Sequence, residues 1–368
     1  GSQMKLNIDG LELETAGPKL LSQLVEMAAA ARASDIHLQM AGAGAAEVRF
    51  RLDGVMAPGP AIPAPFAERV FGRIKYLARL KTYQESMPQD GRIEAASIGL
   101  TNDLRVSTYP TITGEKVVIR MFQRVELPSV GHLGLPKEAA ELLAKATRLT
   151  QGLILLTGPA GSGKTTTIYA ALREILDHDN RHIITVEDPV EQIIPGVMQT
   201  EISEARGLTF PVAAKHLLRQ DPQVLVIGEI RDEETAETCV RAALTGHLVI
   251  STLHAGSCHG VWDRLASFCP DKAAAAQSIE LIVNQRLLRQ TCDGCRGEGC
   301  GACLETGYRG RIPLVEMLRP GPSARQEWRE GRNQATQPGE SLRARAKLLV
   351  AAGRTTEKEV VRALGEEF

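Results

Sequence analysis

Aromatic residues make up only 4% of the 368-residue chain. That leaves few rings for the stacking platforms on which single-stranded nucleic acid lies. Charge of one sign is also missing: charged residues are 24% of the chain and the formal net charge is −1. No overall field draws the protein to nucleic acid or an anionic membrane, although a local basic patch stays open. No apolar run reaches the ~20 residues of a bilayer-spanning helix, and no signal peptide opens the chain. Seven cysteines in a chain of this length do not suggest a disulfide framework; four of them are clustered, which suggests a metal site. What is present is 43% hydrophobic residues, enough for ordinary cores, and length for two domains with room for a small third piece. Gly1, Ser2 and Gln3 before Met4 read as cloning residues and are set aside from the fold reading.

Residues 18–33 carry an apolar stripe and read as a helix. Short alternating runs follow at 35–39, 47–52 and from Val55, after an Asp53-Gly54 turn. A helix is expected over 66–81, then strands over 91–97, 102–109 and 116–122, giving an α+β domain that ends at 122. Residues 123–136 hold two prolines and two glycines without periodicity and read as a linker. Beyond it, strands at 152–157, 182–187, 224–228 and 247–252 alternate with helices at 164–177, 212–219 and 232–244. These strands are continuous apolar runs, the pattern of a doubly wound α/β sheet covered on both faces. A strand is expected at 313–318. Residues 320–340 read as loop with at most one short helix, and 341–351 and 356–364 as closing helices.

The strongest motif is Gly158-Pro159-Ala160-Gly161-Ser162-Gly163-Lys164-Thr165, followed by Thr166. It joins a buried-type strand to a helix, the context a phosphate-binding loop requires. Its glycines let successive N–H groups face phosphate, and the helix N-terminus adds partial positive charge. Lys164 is expected to reach the β- and γ-phosphates of ATP, and Thr165 to hold Mg²⁺. The run 224–228 ends in Glu229, which either polarises the attacking water or supports the metal. Glu187, Asp188 and Glu191 form a second acidic set after a strand, suited to the same work. Asp232 reads as the N-cap of the next helix. His247 and His254 flank the strand between them; either could hydrogen-bond the γ-phosphate or report its presence. Cys292, Cys295, Cys300 and Cys303 form two C-x2-C knuckles, whose four thiolates match tetrahedral Zn²⁺. Cys239, Cys258 and Cys269 are expected to be core or surface thiols.

Together these elements resemble the GspE/PilB branch of the bacterial secretion ATPases, the type II secretion and type IV pilus-assembly family. The phosphate loop matches; 183–202 is similar to the family's Asp box, 224–237 to its atypical Walker B with Glu in place of Asp, and 245–257 to its His box. Upstream, 34–39, 48–54, 89–93 and 104–122 resemble the domain before the motor; downstream, 307–318 and 341–364 match the family's end. The resemblance implies a RecA-like P-loop ATPase domain (137–318, including the tetracysteine element 292–303). A smaller α+β, PAS-like domain (1–122) would precede it and a helical segment (319–368) would close it. It implies ATP, Mg²⁺ and Zn²⁺ as cofactors and a homohexameric ring. The ring would be cytoplasmic, peripheral to the inner membrane, and act on a platform protein of the GspF/PilC type with no nucleic acid partner. ATP would lie between the preceding domain and the motor, with Arg92, Arg105 and Arg120 approaching its phosphates, and Glu229 as main catalytic carboxylate with Glu187 assisting. The alternatives are a pilus-retraction motor or a nucleotide-switched regulatory or DNA-handling ATPase. The sequence departs from the family twice. The spacer between its cysteine knuckles is only four residues, 296–299. Little more than fifteen residues precede the first matched helix, so the chain is expected to be either truncated or naturally short.

Overall fold

The structure is a computed structural model that describes residues 5–100, 103–121, 128–333 and 338–366. Residues 1–4, the expected strand ends Asn102 and Phe122, residues 123–127 of the linker and 334–337 of the late loop lie outside the described residues. The chain divides into two units, Gly1–Val125 with Gln290–Gly310, and Glu126–Arg289 with Arg311–Phe368.

In the first unit, six strands form one antiparallel sheet: β1 (Asp35–Met40), β2 (Ala46–Leu52), β3 (Val55–Ile62), β4 (Gln89–Ile93), β5 (Leu104–Thr111) and β6 (Gly114–Met121), in the order β3-β2-β1-β6-β5-β4. Period-2 alternation decides the faces. Ile36 and Leu38, Val48 and Phe50, Val106, Val117 and Ile119 are buried with Leu20, Leu24, Val70 and Ile74 of the helices Leu13–Ala30 and Phe66–Leu77. The opposite face is polar. β3 holds Pro58 and Pro60, which a strand at the sheet edge tolerates because its outer N–H groups have no ladder partner. The first helix begins at Leu13, so Pro18 lies inside it and not at its start. The expected strand 91–97 ends at Ile93 and becomes a short 3-10 turn, Ala95–Ile98.

The second unit holds β7 (Gly152–Thr157), β8 (Ile183–Glu187), β9 (Val197–Glu201), β10 (Val224–Ile227), β11 (Leu248–Thr252), β12 (Ile279–Thr291) and β13 (Tyr308–Leu318), in the order β13-β12-β7-β11-β10-β8-β9. The pairs β12–β7, β7–β11, β11–β10, β10–β8 and β8–β9 are parallel. β7, β8, β10 and β11 are buried at every residue. One apolar cluster covers each face of the sheet, as a doubly wound architecture requires. Trp262 stacks on Trp328 with centroids 4.7 Å apart. The closing helices Leu342–Ala351 and Glu357–Leu364 begin at Ser341 and Thr356, whose side chains cap them. They pack on Leu288 of β12 and on Ile312 and Leu314 of β13.

The cysteine segment differs from expectation. Sequence order put 292–303 in the motor domain, but by contact Gln290–Gly310 groups with the first unit. Leu304 packs on that unit's core, and the Gly310 N–H donates to Asp53 Oδ2 at 2.8 Å. Insertion at this point in the chain does not decide where the segment finds its apolar surface.

Candidate active site

Parallel strands of an α/β sheet end together, so their C-terminal loops converge on one edge. β7 delivers the loop 158–163 there, β8 delivers Glu187, β10 delivers Glu229 and β11 delivers His254. β11 lies between the phosphate-loop strand and the Glu229 strand. Lys164, Thr165, Glu187, Asp188, Glu191, Glu229 and Arg231 line one cleft of about 130 Å³.

The loop is wound as a phosphate cradle. Gly158, Gly161 and Gly163 all have positive φ. A Cβ at Gly158 would lie 2.3 Å from the Gln285 carbonyl oxygen, so only glycine fits. Pro159, Ala160, Thr165 and Thr166 are exposed, whereas Ser162 is buried. The Ser162 hydroxyl has no hydrogen-bond partner among the described residues. The helix Lys164–His178 then starts with its first N–H groups turned to the loop. Lys164 Nζ donates to the carbonyls of Gly158 at 2.8 Å and Pro159 at 3.0 Å. Burial holds its pKa below the usual lysine value, against the pull of Glu229. An ammonium whose hydrogen bonds go to two neutral carbonyls gains from an arriving anion. The residues therefore fit a nucleotide phosphate chain.

Glu229 is gripped from two sides. His254 Nε2 lies 3.0 Å from its Oε1, and Arg231 Nε and Nη2 lie 2.7 Å from its Oε2. Arg231 also reaches Asp188 at 3.9 Å and sits over the Phe210 ring. Ser251 and Thr252 donate to the carbonyls of Ile227 and Gly228, at 2.6 and 2.7 Å, and fix the strand end that carries Glu229. Asp232 caps its helix by accepting from Thr235 N at 2.8 Å, as expected.

Glu187 reaches the cleft but is buried, and each of its oxygens already accepts a hydrogen bond: Tyr169 Oη and Thr185 Oγ1 donate to it, and Gln199 Nε2 does so at 3.0 Å. These bonds tie the helix Lys164–His178 and β9 to β8 and leave acceptor capacity for the assisting role expected of it. Burial, then the neighbouring Glu187 carboxylate, pushes the Tyr169 hydroxyl pKa up, so it stays a donor. His247 precedes β11 and His254 follows it, so they sit at opposite ends of a strand, about 20 Å apart at ~3.3 Å per residue. His247 Nδ1 lies 3.1 Å from the Ala242 carbonyl, where it closes the helix Glu233–Leu244. Within this chain it does not reach the phosphate edge.

The three arginines lie in the first unit and in register. Arg92 pairs with Arg105, and Arg105 with Arg120, across β4, β5 and β6. The row continues through Asp35 on β1 to Arg51 on β2. Arg120 Nε is 3.1 Å from Asp35, and Arg92 pairs with Asp103. The four cysteine Sγ atoms lie within 4.8 Å of one another.

Residues 13–362 match the family model described as "Type II/IV secretion system protein". The chain belongs to this family. It is a secretion ATPase of the GspE/PilB type. A protein transport protein HofB homolog of Haemophilus influenzae is 40% identical, over 95% of this chain and 74% of its own. Type II secretion system protein E of Pseudomonas aeruginosa is 36% identical, over 98% and 78%. Type IV pilus assembly ATPase PilB of Thermus thermophilus is 35% identical, over 84% of this chain and 38% of its own. Among solved structures, the pilus retraction motor PilT with bound ADP superposes with a TM-score of 0.62 at 25% identity, covering 93% and 92%. The ATPase DotB of Legionella pneumophila gives 0.72 at 20% identity over 98% of both chains, a likeness of fold. Among the described residues no helix is long and apolar enough to cross a membrane.

Some parts of this secretion ATPase's site were not foreseen. Gln285, Tyr169 and Gln199 each hold a site residue. Gln285 had a readable signal: Asn284-Gln285 interrupts the apolar run Leu281–Val283 with two buried polar residues inside β12.

Proposed function

We propose that this ATPase works as a homohexameric ring that hydrolyses ATP to drive pilus or pseudopilus assembly, acting from the cytoplasm on an inner-membrane platform protein of the GspF/PilC type. The observation that carries the reading is the convergence of Lys164, Thr165, Glu229 and His254 on one sheet edge. Lys164 and the loop amides hold the phosphate chain; Glu229 orients the attacking water, with His254 beside it. Thr165 would hold Mg²⁺, which neutralises charge on the phosphates. In the assembled motor Arg92, Arg105 and Arg120 supply further positive charge to the phosphates. The preceding α+β unit corresponds to the PAS-like domain of the resemblance.

Zinc fits the cysteine cluster. Sulfur pairs at 3.8 to 4.0 Å match the edge of a tetrahedron with Zn–S of ~2.3 Å, which is ~3.8 Å. The N–H groups of Gly299 and Cys300 donate to Cys295 and Cys303 sulfurs at 3.2 Å, as thiolates prefer. Cys292, Cys295, Cys300 and Cys303 would hold the ion, which cross-links a segment too small to fold on its own core.

The test is Mg²⁺-dependent phosphate release by purified protein whose ring state is read by ultracentrifugation. Lys164→Ala should lower the rate at least about a hundredfold. An assembled ring without hydrolysis, or a variant as active as wild type, defeats the proposal. The fold shared with PilT supports a second reading, retraction; a strain lacking the protein that assembles pili normally but cannot retract them would establish it.

A further inference from the structure

β12 runs beside β7, and the last residue pair in register is Asn284 with Thr157. The residues that follow are Gln285, still on β12, and Gly158, the first of the loop, so Gln285 stands where the phosphate loop begins. Its side chain is only 2% exposed. Its amide spans the loop: Nε2 donates to the Ser162 carbonyl at 2.9 Å, and Oε1 accepts from Thr167 Oγ1 at 2.8 Å. Thr167, itself buried, lies in the first turn of the helix Lys164–His178. The bridge therefore clasps Gly163 and Lys164 from both sides. The amide orientation follows from chemistry, because a carbonyl can only accept and the reverse placement would set two oxygens together.

Sterics point the same way. A Cβ on Gly163 would lie 2.7 Å from Gln285 Nε2, and one on Gly158 would lie 2.3 Å from the Gln285 carbonyl oxygen. Gln285 thus packs directly against two of the loop's glycines, whose positive φ already favours glycine. Arg286 steadies it from behind, donating through Nη1 to the Gln285 carbonyl at 3.0 Å and to Asn284 Oδ1 at 2.8 Å.

We propose that Gln285 is a positioning residue for the nucleotide site: its buried amide holds the Ser162 carbonyl and Thr167 in place, so that the loop amides and Lys164 face the phosphates of a nucleoside di- or triphosphate. The inference rests on the nucleotide-site reading above. Gln285 touches no phosphate in this account; it sets the shape that the phosphates meet. Gln285→Glu keeps the size and still accepts from Thr167, but turns a carboxylate oxygen on the Ser162 carbonyl. Thr167→Val removes the other half of the bridge at nearly constant volume.

The experiment measures the Kd of a fluorescent ADP analogue, the KM and kcat for ATP, and the melting temperature of the nucleotide-free protein. Gln285→Glu should weaken ADP binding about tenfold or more, by leaving a buried carbonyl without its donor. The loss should appear in KM more than in kcat, since it acts on ground state and transition state alike. Thr167→Val should shift affinity the same way by less, and the double variant should be no worse than Gln285→Glu alone. ADP affinity within twofold of wild type in a folded Gln285→Glu overturns the proposal. If that variant unfolds, unchanged affinity in Thr167→Val overturns it. Lys164→Ala separates the two readings: if it too binds like wild type, the nucleotide site lies elsewhere.

Discussion

Removing the Glu359 carboxylate should detach the end of the chain. Glu359 is fully buried on the closing helix Glu357–Leu364. It accepts from Arg289 through the backbone N–H at 2.8 Å, Nε at 3.0 Å and Nη2 at 2.9 Å, and from Arg362 through Nε at 2.8 Å and Nη2 at 2.6 Å. Arg289 is 13% exposed, so the pair is shielded; Arg362 is 42% exposed, so solvent screens its share. Taking away one partner of a buried pair costs ~3–5 kcal/mol, and Glu359→Ala should lose about that. Glu359→Gln keeps the shape and forfeits the charge-assisted part, for ~2 kcal/mol. A helix this short has no stability of its own, so the loss should appear first as local opening.

The pH dependence fixes the cause. Burial alone would raise the Glu359 carboxyl pKa, but the Arg362 and Arg289 hydrogen bonds outweigh it and hold it below the ordinary range. A depressed folded pKa gives stability that is complete above the unfolded value of ~4.3 and lost as pH falls through the folded value. The gap between wild type and Glu359→Gln should therefore be full at neutral pH and close in acid. Urea unfolding, with hydrogen exchange read at 357–364, measures both. A gap under ~0.5 kcal/mol at neutral pH, or one that persists in acid, refutes the reasoning.

Glu229→Gln should keep nucleotide binding while lowering kcat by at least about a hundredfold, and His254→Ala should lose far more hydrolysis than His247→Ala; steady-state phosphate release decides both. Tyr169→Phe should destabilise by ~1–3 kcal/mol by stripping a donor from buried Glu187, and with Glu187→Gln the two effects should not add in denaturant melts. Metal analysis should find one zinc per chain; Cys303→Ser should release it and make 290–310 the first segment cut by protease. Arg105→Gln should lower hydrolysis by the assembled ring, read as steady-state phosphate release.

Legibility followed burial. β7, β8, β10 and β11 read clearly because strands covered on both faces are unbroken apolar runs. β9 was missed: Val197–Glu201 is half-exposed at the sheet edge and mostly polar. The stretch from the helix Cys258–Phe268 through Lys272–Ser278 to β12 carries little signal in the sequence. Its caps, Ser257 and Asp271, precede short Ala-rich or mixed runs with weak periodicity. The apolar stripe places the first helix from residue 18, yet the helix begins five residues earlier, at Leu13. In the site, residues whose chemistry is carried by type were legible: the loop glycines, Lys164, Thr165, Glu229. Those whose role depends on who donates to them were not. Nothing local says that Tyr169, Thr185 and Gln199 all donate to Glu187 or that His247 faces away; the first follows largely from pairings between distant segments.

The arginine row turns on the same distinction between stability and work. Residues directly opposite across antiparallel strands have Cβ atoms ~5 Å apart, and like charges there are unfavourable by a few tenths of a kcal/mol or more. Arg92, Arg105 and Arg120 occupy three successive strands in register. Acids stand beside the row: Asp35 lies between Arg120 and Arg51, and Asp103 is on Arg92. A sheet face selected only to stay folded would alternate its signs. One that must meet a polyanion gains from keeping like charges aligned at fixed spacing, because the strands hold the repulsion that free side chains would relax. Neutralising the middle guanidinium should then weaken hydrolysis by the assembled ring, whereas Arg105→Lys, which keeps the charge, should retain more of it, a dependence on charge that a role confined to packing does not produce.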